Sequence, residues 1–278
     1  MARRRLVILP WMAPRATTIA PAGIGPIPDP LPRPERASQW RVLRRLLAAA
    51  WRDPGQFTSR RLPRLCPICG YRGVFVSVGR PPRRDVRCPS CGSRERHRLM
   101  HLWVTEGGGD RLAGKRILHF APEKAVRQQM RGNKLYETAD LYESDVTHPV
   151  DITDTALAAA SYDVVIAHHV LEHILDDRAA MREMFRILKP GGVAILSTPI
   201  NASRRDTYEN PSITDPALRT LHFSAPDHKR YYGLDFADRL TEAGFSVETF
   251  RMPPELEPRY GLLPAEWLYI ARKPLPTE

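Results

Sequence analysis

From residue 115 to the end, short apolar runs alternate with helical patterns, and that alternation narrows the possible folds more than any other feature. Strands are predicted near 116–120, 135–140, 149–152, 162–167, 192–198, 245–250 and 266–271. Helices are predicted at about 123–131, 172–189 and 233–243. In the long helix Ile174, Met181, Phe185 and Leu188 share a stripe, and Lys189-Pro190-Gly191-Gly192 ends it, because proline cannot continue a helix and glycine relieves the turn. Strand–helix alternation closed by a β-hairpin implies an α/β, doubly wound, mostly parallel seven-stranded sheet with an antiparallel last strand.

The front of the chain differs. Four cysteines occur in the whole sequence, as Cys66-Pro67-Ile68-Cys69-Gly70 and Cys88-Pro89-Ser90-Cys91-Gly92, with 18 residues between the pairs. Two residues between cysteines let both thiolates of a tight turn reach one tetrahedral ion, and the following glycine permits the turn's backbone angles. Cys66, Cys69, Cys88 and Cys91 are therefore expected to hold a structural zinc ion with no open coordination position. Folding of so small a module should be coupled to that metal. Disulfides or a redox pair are the alternatives, and a second pair at ribbon spacing argues against both. Thiols arranged for metal, with none left over, suit a reducing compartment and a cytoplasmic location. His97 and His101 stand at helical spacing beyond the last cysteine and are read as surface or interface residues.

Four segments follow: a disordered Pro/Arg-rich arm at 1–37, a basic amphipathic helix and linker at 38–64, the zinc ribbon at 65–105, and the α/β domain at 106–278. The arm carries prolines at 14, 21, 26, 28, 30, 32 and 34, a spacing that blocks helices and sheets. In the helix Trp40, Leu43, Leu47 and Trp51 fall on one face, with Arg41, Arg45 and Arg52 largely off it. Such a face suits a membrane surface, but more often docks on its own protein, and docking is the expectation. The apolar stretch after Met1 is too short for a secretory signal, and no apolar run approaches the length of a membrane span. The net charge of +11 is uneven: residues 1–105 hold 21 basic and 5 acidic side chains, residues 106–278 hold 21 and 26. The basic front suits an anionic partner such as RNA, phospholipid or an acidic glycan, or is simply a solvated arginine-rich leader.

Ser161-Tyr162-Asp163-Val164-Val165-Ile166-Ala167-His168-His169-Val170-Leu171-Glu172-His173-Ile174, followed by Phe185-Arg186-Ile187-Leu188-Lys189-Pro190-Gly191-Gly192, closely resembles class I S-adenosylmethionine-dependent methyltransferases over roughly residues 112–272. The branch it resembles is the type 11-like one, in a zinc-ribbon subgroup. The resemblance implies S-adenosylmethionine as cofactor and assigns roles by position. Asp140, ending the second strand, would accept hydrogen bonds from the ribose hydroxyls, a role a carboxylate suits because it has only acceptors. Asp151 would sit near the adenine amino group. Aspartates at strand ends are also common caps. His119, Ala121, Glu123 and His168 belong to the expected cofactor site, where the strand's carboxyl end meets the ligand crevice. His169 and His228 are the candidate bases, with packing as the alternative for His169. For His173 packing is preferred.

One part departs from the family. Where a glycine-rich turn is expected, the chain reads Ile117-Leu118-His119-Phe120-Ala121-Pro122-Glu123, with Ala121 at the first glycine's place and Glu123 at the second's. Similar loops belong to the zinc-ribbon subgroup, so a specialised loop is expected, with Glu123 replacing the acidic contact to the methionine amino group. Residues 200–235 form an insertion expected to cover the acceptor pocket, with Asn201, Arg204, Arg205, Tyr208, His222, His228, Arg230 and Tyr231 either gripping a sugar or nucleotide or locking the loop itself. The functional expectation is a small-molecule or glycan methyltransferase. An RNA methyltransferase using the basic zinc module is the alternative, and a non-catalytic binding protein on the same fold a further one.

Overall fold

The computed structural model describes residues 17–19, 39–58, 62–79, 82–108, 112–264 and 266–276. In chain order the front contributes β1 (Thr17–Ile19), α1 (Gln39–Arg52), α2 (Gly55–Thr58), β2 (Arg64–Leu65), β3 (Arg72–Gly73), β4 (Val76–Val78), β5 (Arg83–Arg87) and α3 (Glu95–Trp103). The α/β part contributes β6 (Ile117–Phe120), α4 (Lys124–Gln129), β7 (Tyr136–Asp140), β8 (His148–Pro149), β9 (Tyr162–His168), α5 (Asp177–Ile187) and β10 (Leu188–Ser197). It continues with β11 (Tyr208–Glu209), α6 (Pro216–Phe223), β12 (Arg230–Tyr231), α7 (Phe236–Glu242), β13 (Ser246–Phe250), α8 (Glu257–Tyr260) and β14 (Leu268–Arg272).

The main sheet runs β8-β7-β6-β9-β10-β14-β13, with β1 added outside β13. All of its pairings are parallel except those of β14, which is antiparallel to both β10 and β13. The strand order reverses between β6 and β9, which places the ligand crevice beyond the carboxyl ends of those strands. Every expected strand of the α/β domain is present. Within the stretch read as an arm, Thr17–Ile19 pairs with Glu248–Phe250, and the rest of that arm lies outside the described residues.

Strand alternation sorts the core into two layers. Leu118, Phe120, Val165, Ala167, Ala194 and Leu196 face α5 and α7. Ile117, Val164, Ile166, Val193 and Ile195 face the other way, onto Leu99, Met100, Leu102 and Trp103 of α3. Every residue of α3 is buried. The helix that closes the expected ribbon segment is thus part of the sheet's second layer.

Two expectations change. Among the described residues the stripe Trp40, Leu43, Leu47 and Trp51 stays exposed. Trp40 is 74% and Trp51 88% exposed, and α1 rests instead on Ala49, Leu46 and Arg45. The Arg45 guanidinium decides the side, since it donates to the carbonyls of Pro89 and Ser90 at 2.9 Å each. The long helix begins at Asp177, not near Glu172. Asp176 is its N-cap, accepting the Ala179 amide at 2.8 Å, and Leu171–His173 form a separate 3-10 turn. No helix among the described residues is long and apolar enough to cross a membrane.

Candidate active site and metal centre

The two CxxC turns fold alike. Gly70 and Gly92 adopt φ of +71° and +82°, and their amides return to the carbonyls of Cys66 and Cys88 at 2.9 Å. This brings the four sulfurs within 4.8 Å of one another, with Cys66 Sγ 3.6 Å from Cys91 Sγ and Cys69 Sγ 3.7 Å from Cys88 Sγ. Ligands about 2.3 Å from a tetrahedral zinc ion are about 3.8 Å apart, and a disulfide would need about 2.05 Å. The donor set therefore fits one four-thiolate zinc ion. Ser93 Oγ lies 3.2 Å from Cys91 Sγ and 3.4 Å from Cys66 Sγ.

Arg98 ties this module to the sheet. Fully buried, it donates to the carbonyls of Ser93 and Val86 on the ribbon side and of Tyr260 and Gly261 at the end of α8, and it lies 4.6 Å over the Phe75 ring. The sequence shows an arginine-rich run here but does not show which arginine is buried.

At the crevice, Ala121 has φ +46°, so alanine holds a left-handed backbone that glycine ordinarily takes. Glu123 follows as the N-cap residue of α4. Its carboxylate is gripped by Arg96, through Nε at 3.1 Å and a second contact from Nη2, and by His97 Nε2 at 2.5 Å. His97 Nδ1 accepts the Arg94 amide, so the ring proton sits on Nε2 and is donated to Glu123. Burial pushes the Glu123 carboxyl up, but the bonds from His97 and Arg96 outweigh it and hold the group well below the usual range. A groove of about 820 Å³ is bounded by Ala121, Pro122, Glu123, Arg127, Asp140 and Asp145. Asp140 Oδ1 caps the amides of Tyr142 and Glu143 at 2.7 and 2.9 Å. Its second oxygen has no hydrogen-bond partner among the described residues and is free for a ligand.

The other expected cofactor residues lie elsewhere. His119 and His168 share strand parity with Ile117 and Ile166, so both point under α3 and not into the groove. His168 is sealed by Ser197 Oγ at 2.8 Å on Nδ1 and by Met100 Sδ at 3.2 Å on Nε2. His119 Nδ1 meets the Tyr136 hydroxyl at 2.8 Å, and burial pushes its pKa down to about 3. Asp151 is exposed and caps its own turn, accepting the amide and hydroxyl of Thr153 at 2.8 Å.

Beyond β9 a second constellation forms. His169 adopts φ +54°, its amide held by the Ser197 carbonyl at 2.8 Å. Glu172 is 1% exposed. Its Oε2 accepts the Thr198 hydroxyl at 3.1 Å, while Oε1 lies 3.4 Å from His169 Nδ1 with no hydrogen-bond partner. Burial pushes the Glu172 carboxyl up to about 7, and burial likewise lowers His169, His173 and His228. His173 and His228 meet edge to face with ring centroids 4.8 Å apart. Sequence reasoning passed over Glu172. The signal was its place four residues past a strand end, beside two histidines.

The insertion is largely self-locked. Tyr208 bonds His222 Nδ1 at 2.8 Å with Arg204 over its ring. Arg230, 3% exposed, is spent on Glu209 and on the carbonyls of Leu171, Ile174 and Leu175. Arg239 joins Glu209 to Asp177.

A family model described as "Methyltransferase domain" matches residues 41–249. The chain belongs to this methyltransferase-domain family. Its sheet order and antiparallel seventh strand are those of the class I, S-adenosylmethionine-dependent members. A Mycolicibacterium smegmatis protein named "Probable S-adenosylmethionine-dependent methyltransferase" is 34% identical over 107 residues, 37% of this chain and 36% of that protein, so the match spans about a third of that relative's length. Among solved structures, a SAM-dependent methyltransferase from Archaeoglobus fulgidus aligns at 13% identity with a TM-score of 0.44, covering 64% of this chain and 94% of the other. An S-adenosylmethionine-dependent methyltransferase from Mesorhizobium loti aligns at 17% with a TM-score of 0.41, covering 58% and 92%.

Proposed function

We propose that this chain transfers a methyl group from S-adenosylmethionine to a small-molecule or glycan acceptor, with zinc held by Cys66, Cys69, Cys88 and Cys91 as a structural ion. The observation that carries the reading is Ala121 in the left-handed conformation beside Asp140 with a free carboxylate oxygen, at the point where the strand order reverses. Bound there, S-adenosylmethionine supplies an electrophilic methyl on a sulfonium. Asp140 accepts from the ribose hydroxyls. Glu123, kept ionised by Arg96 and His97, faces the cationic amino group. His169 stands at the end of β9 with its ring 29% exposed and its Nδ1 toward Glu172, where it orients or deprotonates the acceptor. His228 stands near it on the insertion. Much of the acceleration comes from alignment at close range. The chain would sit with the zinc-ribbon subgroup of the family and work in the cytoplasm.

One feature favours a second reading, RNA as acceptor. Arg41, Arg45, Arg87, Arg94, Lys124 and Arg131 line a cleft of about 990 Å³ between α1, the cysteine turns and α4. Such a cleft suits phosphates. Calorimetric titration with S-adenosylhomocysteine, beside a zinc assay, tests the main reading: absence of binding refutes it. RNA affinity falling steeply with salt would move the acceptor to the second.

A further inference from the structure

We propose that Glu172, His173 and His228 form a second metal site, open on one side, that holds a first-row divalent cation beside the acceptor end of the crevice. One donor atom from each residue lies within 4.8 Å of the other two. The three come from two segments. The 3-10 turn after β9 presents Glu172 and His173 in succession, and the loop after α6 returns His228, pinned where the Lys229 amide meets the Glu172 carbonyl at 2.8 Å.

Each donor is prepared for an ion by its other atoms. His228 Nδ1 lies 2.8 Å from the Phe223 carbonyl and donates to it, which leaves the Nε2 lone pair free. His173 Nδ1 lies 3.1 Å from Asp227 Oδ2, the carboxylate–histidine pairing that orients metal ligands and raises their basicity. Glu172 Oε2 is satisfied by Thr198, while Oε1 is buried with no hydrogen-bond partner. A buried carboxylate oxygen without a partner is costly, and a cation removes that cost. Two imidazoles and one carboxylate suit manganese, iron, cobalt or zinc, and three protein ligands leave positions open, unlike the closed set of four thiolates at the cysteine turns.

The open positions would take oxygens of a hydroxyl-bearing acceptor, and this role rests on the methyl-transfer reading. Binding of the ion does not. The test uses the full chain carrying one zinc per molecule, titrated with Mn2+ (free ion followed by electron paramagnetic resonance) and with Zn2+ by calorimetry. The expected result is about one further ion per chain, lost in Glu172→Gln and His228→Ala. Asp227→Asn, whose side chain is 67% exposed and so leaves the fold intact, should weaken binding about tenfold. The proposal is overturned if neither ion binds beyond the first zinc, or if Glu172→Gln and Asp227→Asn bind as the parent does. S-adenosylhomocysteine titrated into the same samples separates the two ideas: ion without nucleoside sinks methyl transfer alone, nucleoside without ion sinks this site alone.

Discussion

Replacing Arg98 with Met removes the bolt between the cysteine module and the sheet while keeping most of the side chain's apolar stem. The guanidinium donates to Tyr260 O at 2.7 Å, Gly261 O at 2.6 Å, Val86 O at 3.0 Å and Ser93 O at 2.8 Å. The Ser93 carbonyl keeps the Cys88 amide at 3.0 Å. The other three lose a charge-assisted bond, at about 1–3 kcal/mol for each buried acceptor left unpaired. Relief from burying a guanidinium offsets part of that sum. The net loss should be about 3 kcal/mol. Lysine, a single point donor, should recover only part of it. The assay is urea unfolding at fixed zinc, with zinc release to a chromogenic chelator followed in parallel. The variant should unfold at lower urea and release zinc faster, because the ribbon and α8 part together. Midpoints within about 0.5 kcal/mol of the parent would show that Arg98 joins nothing.

Glu123→Gln should weaken S-adenosylhomocysteine binding about tenfold by calorimetry, since a charge-assisted contact of about 1.5 kcal/mol is lost; unchanged affinity refutes the contact. The same variant should flatten the acid limb of stability. The folded carboxyl is depressed from 4.5, so its contribution is whole above pH 4.5 and is lost as the pH falls toward the folded value, a slope glutamine lacks. Cys88→Ser, or a strong chelator, should lower the melting temperature and release one zinc per chain; a chelator-resistant melting curve contradicts the four-thiolate ion. Ala121→Gly should raise stability by about 0.5–1 kcal/mol in denaturant titration, because the φ of +46° strains alanine; a loss would mean the turn is not strained.

The sheet could be read because its central strands are apolar on both faces, as parallel strands covered by helices must be. What could not be read were choices settled by single long-range bonds. Amphipathicity in α1 reveals a stripe of Trp40, Leu43, Leu47 and Trp51, but not whether that stripe is covered. Two bonds from Arg45 to the backbone of the second cysteine turn seat the helix on its other side. The start of α5 was readable and missed. Asp176-Asp177 before Ala179-Ala180 is an N-terminal signal, yet the family-like run at Leu171–His173 drew the boundary forward. Strand β1, three residues long among prolines, carries no local signal at all, and only its pairing with β13 defines it.

The candidate site divides along the same line. Ala121 and Glu123 after β6, Asp140 at the end of β7 and His169 after β9 all lie at the carboxyl edge of the sheet, and the first three border the groove. Inside strands chain order is not enough, because strand parity says which side chains share a face and cannot say which of two equally apolar faces meets the ligand. His119 groups with Ile117, and His168 with Ile166, and only the arrival of α3 on that side shows both histidines to be core. The Glu172, His173 and His228 cluster lies further still from sequence reasoning. Its two segments are more than fifty residues apart and are joined only when the insertion folds back over the 3-10 turn. That turn exists because Asp176 caps α5 and so frees Glu172 and His173 from the helix. Had the helix begun at Glu172, His173 would be one of its rungs, and no carboxylate and pair of imidazoles could converge there. The late helix start is thus what leaves Glu172 and His173 on a turn of their own, where the loop carrying His228 reaches them.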